Sequence, residues 1–106
     1  MICVTEAEIR VVDNPSLRRY ELHLGGEVVG EIVYRRRADD VVAMLHAEVS
    51  PELEGRGLAS KLAAGALDDA RRRGLGIVPV CPFIDAFVRR HPEYADLVVP
   101  DPARRT

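Results

Sequence analysis

Two glycines one residue apart, Gly55 and Gly57, stand between an apolar run and an amphipathic one in Val49-Ser50-Pro51-Glu52-Leu53-Glu54-Gly55-Arg56-Gly57-Leu58-Ala59-Ser60-Lys61-Leu62. The stretch reads as a strand end, a glycine turn and the first turn of a helix. Turns of this kind bind anions. The first amides of a helix have no partner within it and point outward, and the helix dipole adds about half a positive charge at that end. Three other reactive groups belong to the same part of the pattern. His46 and Glu48 place an imidazole and a carboxylate near the end of the strand that feeds the turn, and either group can accept a proton. Cys81 places a thiol at the end of the next strand, just ahead of Pro82, and a thiolate is a nucleophile.

The elements that must position these groups follow from the pattern of the chain. Ile9-Arg10-Val11-Val12-Asp13 is a short β-rich run, stopped by the turn signal Asn14-Pro15-Ser16. Tyr20-Glu21-Leu22-His23-Leu24 alternates polar and apolar residues with the period of a half-buried strand. Gly25-Gly26 is a hairpin signal, because both positions tolerate positive φ, and Val28 to Tyr34 is the return strand. Arg35-Arg36-Arg37-Ala38-Asp39-Asp40 reads as the next turn. Val41 to Val49 is the longest strand, and its first part is apolar on both faces, as in a strand covered on both sides. The first half is therefore a four-stranded antiparallel meander.

The period then changes. Leu58, Leu62, Ala63, Ala66, Leu67 and Ala70 form a helical stripe between Gly57 and Arg73, and Gly74 suits the left-handed residue after a helix. Ile77-Val78-Pro79-Val80-Cys81 is a short strand. Pro79 cannot donate to a ladder, so the strand is an edge or a splayed one. Pro82 opens a second helix, whose apolar face is Phe83, Ile84, Phe87 and Val88, and a last helical turn falls within Pro92 to Val98. Residues 1–98 then make one domain and 99–106 a frayed tail. Val41–Val49 and Ile77–Cys81, joined by a helix, make a βαβ crossover with parallel strands. Ligands of such units sit at the carboxyl ends of the strands, beside the helix N-terminus.

Three anion-binding motifs compete for a glycine turn in this place. A P-loop needs four residues between its glycines and then Gly-Lys-Ser/Thr; here one residue separates them and Lys61 is out of position. The dinucleotide fingerprint needs a third glycine where Ser60 stands. The third motif is Gln/Arg-x-x-Gly-x-Gly/Ala, the acyl-coenzyme A pyrophosphate loop of the GNAT superfamily of N-acetyltransferases. Glu54-Gly55-Arg56-Gly57-Leu58-Ala59 matches its glycine and its Gly/Ala, with Glu54 in place of the usual Gln or Arg. Residues 20–98 resemble a short, single-domain, acetyltransferase-like branch of that superfamily. The resemblance is carried by this loop together with His46-Ala47-Glu48-Val49, Cys81-Pro82-Phe83 and His91-Pro92-Glu93-Tyr94, in this order.

The resemblance implies a minimal GNAT-like α/β (α+β) fold: the antiparallel meander, the βαβ crossover to a splayed fifth strand, and C-terminal helices. The two helices that longer relatives carry after their first strand are missing, in keeping with the lack of a helical pattern before Gly57. It implies acetyl-coenzyme A or coenzyme A as co-substrate. Amides of Gly55, Arg56, Gly57, Leu58, Ala59 and Ser60 would hold the pyrophosphate, with the Arg56 side chain near the phosphates. Backbone groups of Ala47 and Val49 would pair with the pantetheine arm. Cys81 would sit where the acyl group arrives. An amine then attacks the thioester directly, with His46 as base and Glu48 as the alternative, or Cys81 takes the acyl group first. A strand bulge would decide which of residues 46–49 face the cleft.

Composition narrows the alternatives. A chain of 106 residues with 47% apolar and 30% charged residues fits one globular domain. A formal net charge of -2 gives no global field for nucleic acid. No apolar run approaches the roughly 20 residues of a membrane span, and no leader pattern opens the chain, so a cytoplasmic location is expected. Cys3 and Cys81 are too few and too far apart for a zinc site, so no metal is expected, and Cys3 reads as inert. The expected partners are coenzyme A and a small-molecule or protein amine, for a monomer or weak dimer. Simpler roles stand beside each of these readings. Gly55 and Gly57 also make a plain tight turn, and a buried cysteine commonly packs as a small hydrophobe. Arg35-Arg36-Arg37 and Arg71-Arg72-Arg73 read as a solvated turn and a helix end, and Phe83, Phe87 and Tyr94 as core. The alternative functions are a coenzyme A-binding module without catalysis and a protein interaction domain.

Overall fold

A computed structural model of the protein describes residues 9–38, 40–53 and 55–100. Cys3, Glu54 and residues 101–106 of the expected tail lie outside them. The strands are β1 (Ile9–Asn14), β2 (Arg19–Leu24), β3 (Glu27–Ala38), β4 (Val41–Val49) and β5 (Gly76–Pro79). The helices are α1 (Leu58–Arg72) and α2 (Pro82–Arg90), with 3-10 turns at Pro51–Leu53 and Pro92–Leu97. The strands form one sheet in the order β1-β2-β3-β4-β5, antiparallel from β1 to β4 and parallel between β4 and β5. This is the expected mixed α+β architecture: meander, crossover and edge strand.

Cross-strand register sorts the side chains between two faces. Tyr20 pairs with Ile32, Tyr34 with Met44, and Val42 with Ile77. All are buried, in one cluster with Leu58, Leu62, Ala63, Ala66, Leu67 and Ala70 of α1 and Ile84, Phe87 and Val88 of α2. The alanines of α1 let it lie close to the sheet. At Gly65 the contact is so close that a Cβ would fall 2.5 Å from a methyl of Val11. The helix ends as its sequence predicts: Gly74 has φ of +71°, and the Leu75 amide reaches back to the Ala70 carbonyl at 2.8 Å. The opposite face carries Arg19, Glu21, Glu31, His46 and Glu48, and among the described residues no helix covers it.

Three expectations need correction. Arg35, Arg36 and Arg37 belong to β3, which runs on to Ala38, and are not the turn. Their partners are residues of β4, Arg35 with Ala43 and Arg36 with Val42, so the turn is confined to a shorter stretch. Cys81 is not in β5, which ends at Pro79; it is the residue that starts α2. Val99, read as tail, donates its amide to the Ile77 carbonyl at 3.0 Å.

Candidate functional site

The glycine turn has the geometry that its residue types require. Gly55 and Gly57 hold φ of +86° and +73°, a left-handed region open to glycine at little cost. A Cβ added at either position would meet nothing within 4 Å, so an open space lies against both backbones. Gly57 caps α1, and its carbonyl accepts the first helical bond, from the Lys61 amide at 3.2 Å. The amides of Leu58, Ala59 and Ser60 therefore come before the first helical donor and have no carbonyl within the helix to bind. The Leu58 side chain is buried in the core, so only its backbone is available to a ligand. Arg56 is exposed and makes no ion pair among the described residues.

Beside the turn, β4 has an unpaired edge. Pairing with β5 ends at Met44 opposite Pro79, and the Cys81 amide adds one more bond, to the Met44 carbonyl at 2.9 Å. β4 continues to Val49 with only β3 beside it. A bulge separates the two parts. Val33 pairs with His46 but Tyr34 with Met44, which leaves Leu45 as the extra residue. The Ser50 amide donates to the Val29 carbonyl at 2.8 Å. Backbone groups alternate in direction along an antiparallel strand, so those of Glu48 also face β3, while those of Ala47 and Val49 face the open side.

The bulge also decides the side chains. Ala47 lies opposite the buried Ile32, and so shares the helix-covered face with Met44. Ala47, Glu48 and Val49 line a cleft of about 350 Å³ with Ala59 and Leu62 of α1 and Phe83 of α2. His46 and Glu48 project on the other face. Their side chains are 60% and 64% exposed and hydrogen-bond each other, His46 Nε2 to Glu48 Oε1, at 3.1 Å. An anion site, a free strand edge and an apolar slot thus adjoin, and a proton-accepting pair stands across the sheet from them. Such a site can take an extended ligand with a phosphate group at one end.

A model of the GCN5-related N-acetyltransferase family matches residues 19–97. The chain belongs to the GCN5-related N-acetyltransferases. A solved structure agrees with this assignment at the level of the fold: the NMR solution structure of a candidate GCN5-like N-acetyltransferase from Staphylococcus aureus superposes with a TM-score of 0.65. It is 20% identical and covers 94% of this chain and 99% of its own. A comparison with curated proteins returned no significant sequence match. Acyl transfer, in general from acetyl-coenzyme A, is the activity of the family.

Within this GCN5-related fold, the sequence-predicted groups separate into two sets. Ala47, Val49 and Ala59 line the cleft, and Gly57, Leu58 and Ser60 flank Ala59 at the start of α1. His46 does not enter it. Cys81 does not line it either: the thiol is free but the residue is only 4% exposed and packs in the core. Phe83, expected in the core, is half-buried and forms a wall of the cleft. Among the described residues no helix is long and apolar enough to cross a membrane, and no group of three metal-ligating side chains gathers.

Two polar networks brace the sheet. On the helix face Arg73 donates to Asp13 at 2.8 Å and to Asp69 at 2.9 Å, Tyr20 donates to Asp69 at 2.8 Å, and Tyr34 donates to Asp13 at 2.5 Å. Burial and then the bond to Asp13 push the Tyr34 hydroxyl up to about 12. Hydrogen bonds to Asp13 and Asp69 raise Arg73 further above its usual value. On the open face Glu21 accepts from Asn14 at 3.0 Å and from Arg19 at 2.8 Å, and pairs with His23 at 2.9 Å. Those hydrogen bonds, from His23 foremost, lower Glu21 to about 2. Nothing local in the sequence marks these partners, which lie up to 60 residues apart.

Proposed function

We propose that this protein is an acyl-coenzyme A-dependent N-acyltransferase that moves an acetyl group to an amine. The observation that carries this is the open edge of β4 at Ala47 and Val49, which adjoins the free amides of Leu58 to Ser60 across one cleft. Pantetheine is an extended chain with two amide groups, and such a chain pairs with a free strand edge as a further strand does. A pyrophosphate answers the anion preference of the helix start. The space that a Cβ would fill at Gly55 and Gly57 supports the fit, and so does the exposed guanidinium of Arg56. The apolar walls at Val49, Leu62 and Phe83 suit the methylene part of the arm.

In this reading the thioester lies where β4 and the chain at Cys81 part. The amine approaches from the open face. Its nitrogen attacks the thioester carbonyl carbon, the carbon–sulfur bond breaks, and coenzyme A leaves as the thiolate. His46 takes the amine proton, with its ring oriented by Glu48, the usual arrangement of a base held by a third group. A covalent route is the second reading, because Cys81 stands at the start of α2 and its amide closes the fork beside Met44. The protein acts in the cytoplasm, as a monomer or weak dimer.

Amine-dependent release of the coenzyme thiol from acetyl-coenzyme A, followed across a panel of polyamines, small amines and lysine peptides, tests this function. Release above the amine-free rate is the expected result. Coenzyme binding with no transfer to any amine would instead make the protein a coenzyme A-binding module. The uncovered acceptor face among the described residues favours that reading as the runner-up.

A further inference from the structure

The far end of α1 holds a second concave site. A cavity of about 580 Å³ is lined by Arg18, Arg35, Arg36 and Arg73, with Tyr34 and Asp13 at its wall. Arg73 is tied to Asp13 and Asp69. Arg18, Arg35 and Arg36 make no ion pair among the described residues. Four guanidinium groups thus face one carboxylate in the lining, on a chain whose formal net charge is -2. Arg18 holds φ of +55°, a conformation that glycine or asparagine adopts more readily. Its place is fixed from both sides, since its amide donates to the Pro15 carbonyl at 3.2 Å and its carbonyl accepts from the Tyr34 amide at 2.9 Å. The arginines therefore come from a rigid turn, a paired strand and a helix end locked by two carboxylates.

We propose that this cavity binds a compact polyanion carrying two or more phosphate groups. Guanidinium groups are the side chains suited to forked, charge-assisted bonds with phosphate oxygens, and three of them here lack a carboxylate that would have to be displaced. No aromatic ring is exposed in the lining, since Tyr34 is buried, so recognition falls on the phosphates and not on a stacked base. The site is separate from the glycine turn. Gly57 and Arg73 bracket the 15 residues of α1, which at the usual rise puts them about 24 Å apart. It does not depend on the coenzyme reading.

Calorimetric titration with inorganic pyrophosphate at low ionic strength tests the proposal. Three proteins are compared: wild type, the double variant Arg35→Gln/Arg36→Gln, and Gly57→Val. Gly57→Val, in which the phosphate space of the turn is filled, is expected to keep the binding at this cavity, and the double variant to bind there about tenfold more weakly or worse, as expected for the loss of two charge-assisted contacts. The double variant's unfolding transition, checked by circular dichroism, is expected to match the wild type's, because both side chains are exposed. Absence of binding at millimolar pyrophosphate, or equal affinity in the double variant, overturns the proposal. Loss of binding in Gly57→Val overturns it too, since the ligand would then sit at the glycine turn. Orthophosphate and ADP, run in parallel on Gly57→Val so that the glycine turn does not contribute, separate the sources. Binding of ADP as tight as pyrophosphate with weaker orthophosphate supports recognition of linked phosphates, whereas orthophosphate binding as tightly as pyrophosphate contradicts it.

Discussion

The amide of Cys81 donates to the carbonyl of Met44 at 2.9 Å, and beyond that bond β4 has no neighbour on its β5 side among the described residues. The bond marks the fork at which a thioester would be held. It also fixes what Cys81 contributes: its backbone closes the fork, while its side chain is buried in the core. The Pro79 ring, which cannot donate to the ladder, stands at the last paired position of β5.

Cys81→Ala is accordingly expected to keep acyl transfer and to lower stability by about 1 kcal/mol, the usual scale for a small buried group. Intact-mass spectrometry after mixing wild type with acetyl-coenzyme A is expected to show no acetyl group on Cys81. A stoichiometric acetyl adduct on that residue, abolished in the variant, would establish the covalent route instead.

In the proposed direct route His46 would accept the amine proton. His46→Gln is expected to reduce turnover about 100-fold, the lower range for loss of a general base, with coenzyme affinity unchanged, because the side chain lies on the face away from the cleft. Glu48→Gln is expected to have a smaller effect of the same kind. Equal turnover in His46→Gln and wild type would remove the imidazole from the mechanism.

Acid stability should report on Glu21. Its carboxyl is held near 2, against an ordinary value of 4.5, by hydrogen bonds from His23, Asn14 and Arg19. A depressed carboxyl stabilises the fold above its ordinary value, and that contribution disappears as pH falls from about 4.5 towards 2. Denaturant melts across this window are expected to show a steeper loss in wild type than in Glu21→Gln, which starts less stable at neutral pH. Parallel pH profiles would show that the Glu21 network adds nothing.

Arg73 ties α1 to the strands. Arg73→Met leaves Asp13 and Asp69 with only tyrosine hydroxyls among their inward partners, a loss of about 2 kcal/mol by the usual cost of a broken part-buried network. That corresponds to a fall in Tm of roughly 10 °C for a domain of this size. Coenzyme affinity is expected to be unaltered, since the turn lies at the other end of the helix. A drop in coenzyme affinity with no drop in Tm would contradict this division.

Much of the fold was legible because its signals are local. The bounds of β4, the stripe of α1, the left-handed Gly74 and the Pro82 helix start all follow from residue type and period. Three features were not. Arg35 to Arg37 carry charges that resemble a turn, yet they belong to β3; Arg35 and Arg36 pair with β4 through their backbones and expose their side chains. The bulge at Leu45 has no residue signature, because it comes from the register of β3 on β4; it decides that Ala47 shares the helix-covered face and that His46 does not enter the cleft. Arg73 looked like a solvated helix end because its carboxylate at position 13 is distant in sequence. In the site itself the glycine turn was readable, whereas the wall formed by Phe83 was not, since an aromatic residue on a helix face reads as core.

The central claim is that the cleft between β4, α1 and Phe83 holds coenzyme A with its pyrophosphate on the glycine turn. Isothermal titration of the protein with acetyl-coenzyme A, for wild type and Gly57→Val, tests it most directly. One coenzyme per chain is expected for wild type, with a Kd inside the usual range of about 1 μM to 1 mM for enzyme substrates. In Gly57→Val, where a branched side chain enters both a left-handed position and the phosphate space, no binding is expected and the fold persists. No heat of binding to wild type at hundreds of micromolar, or equal affinity in the folded variant, would contradict the account.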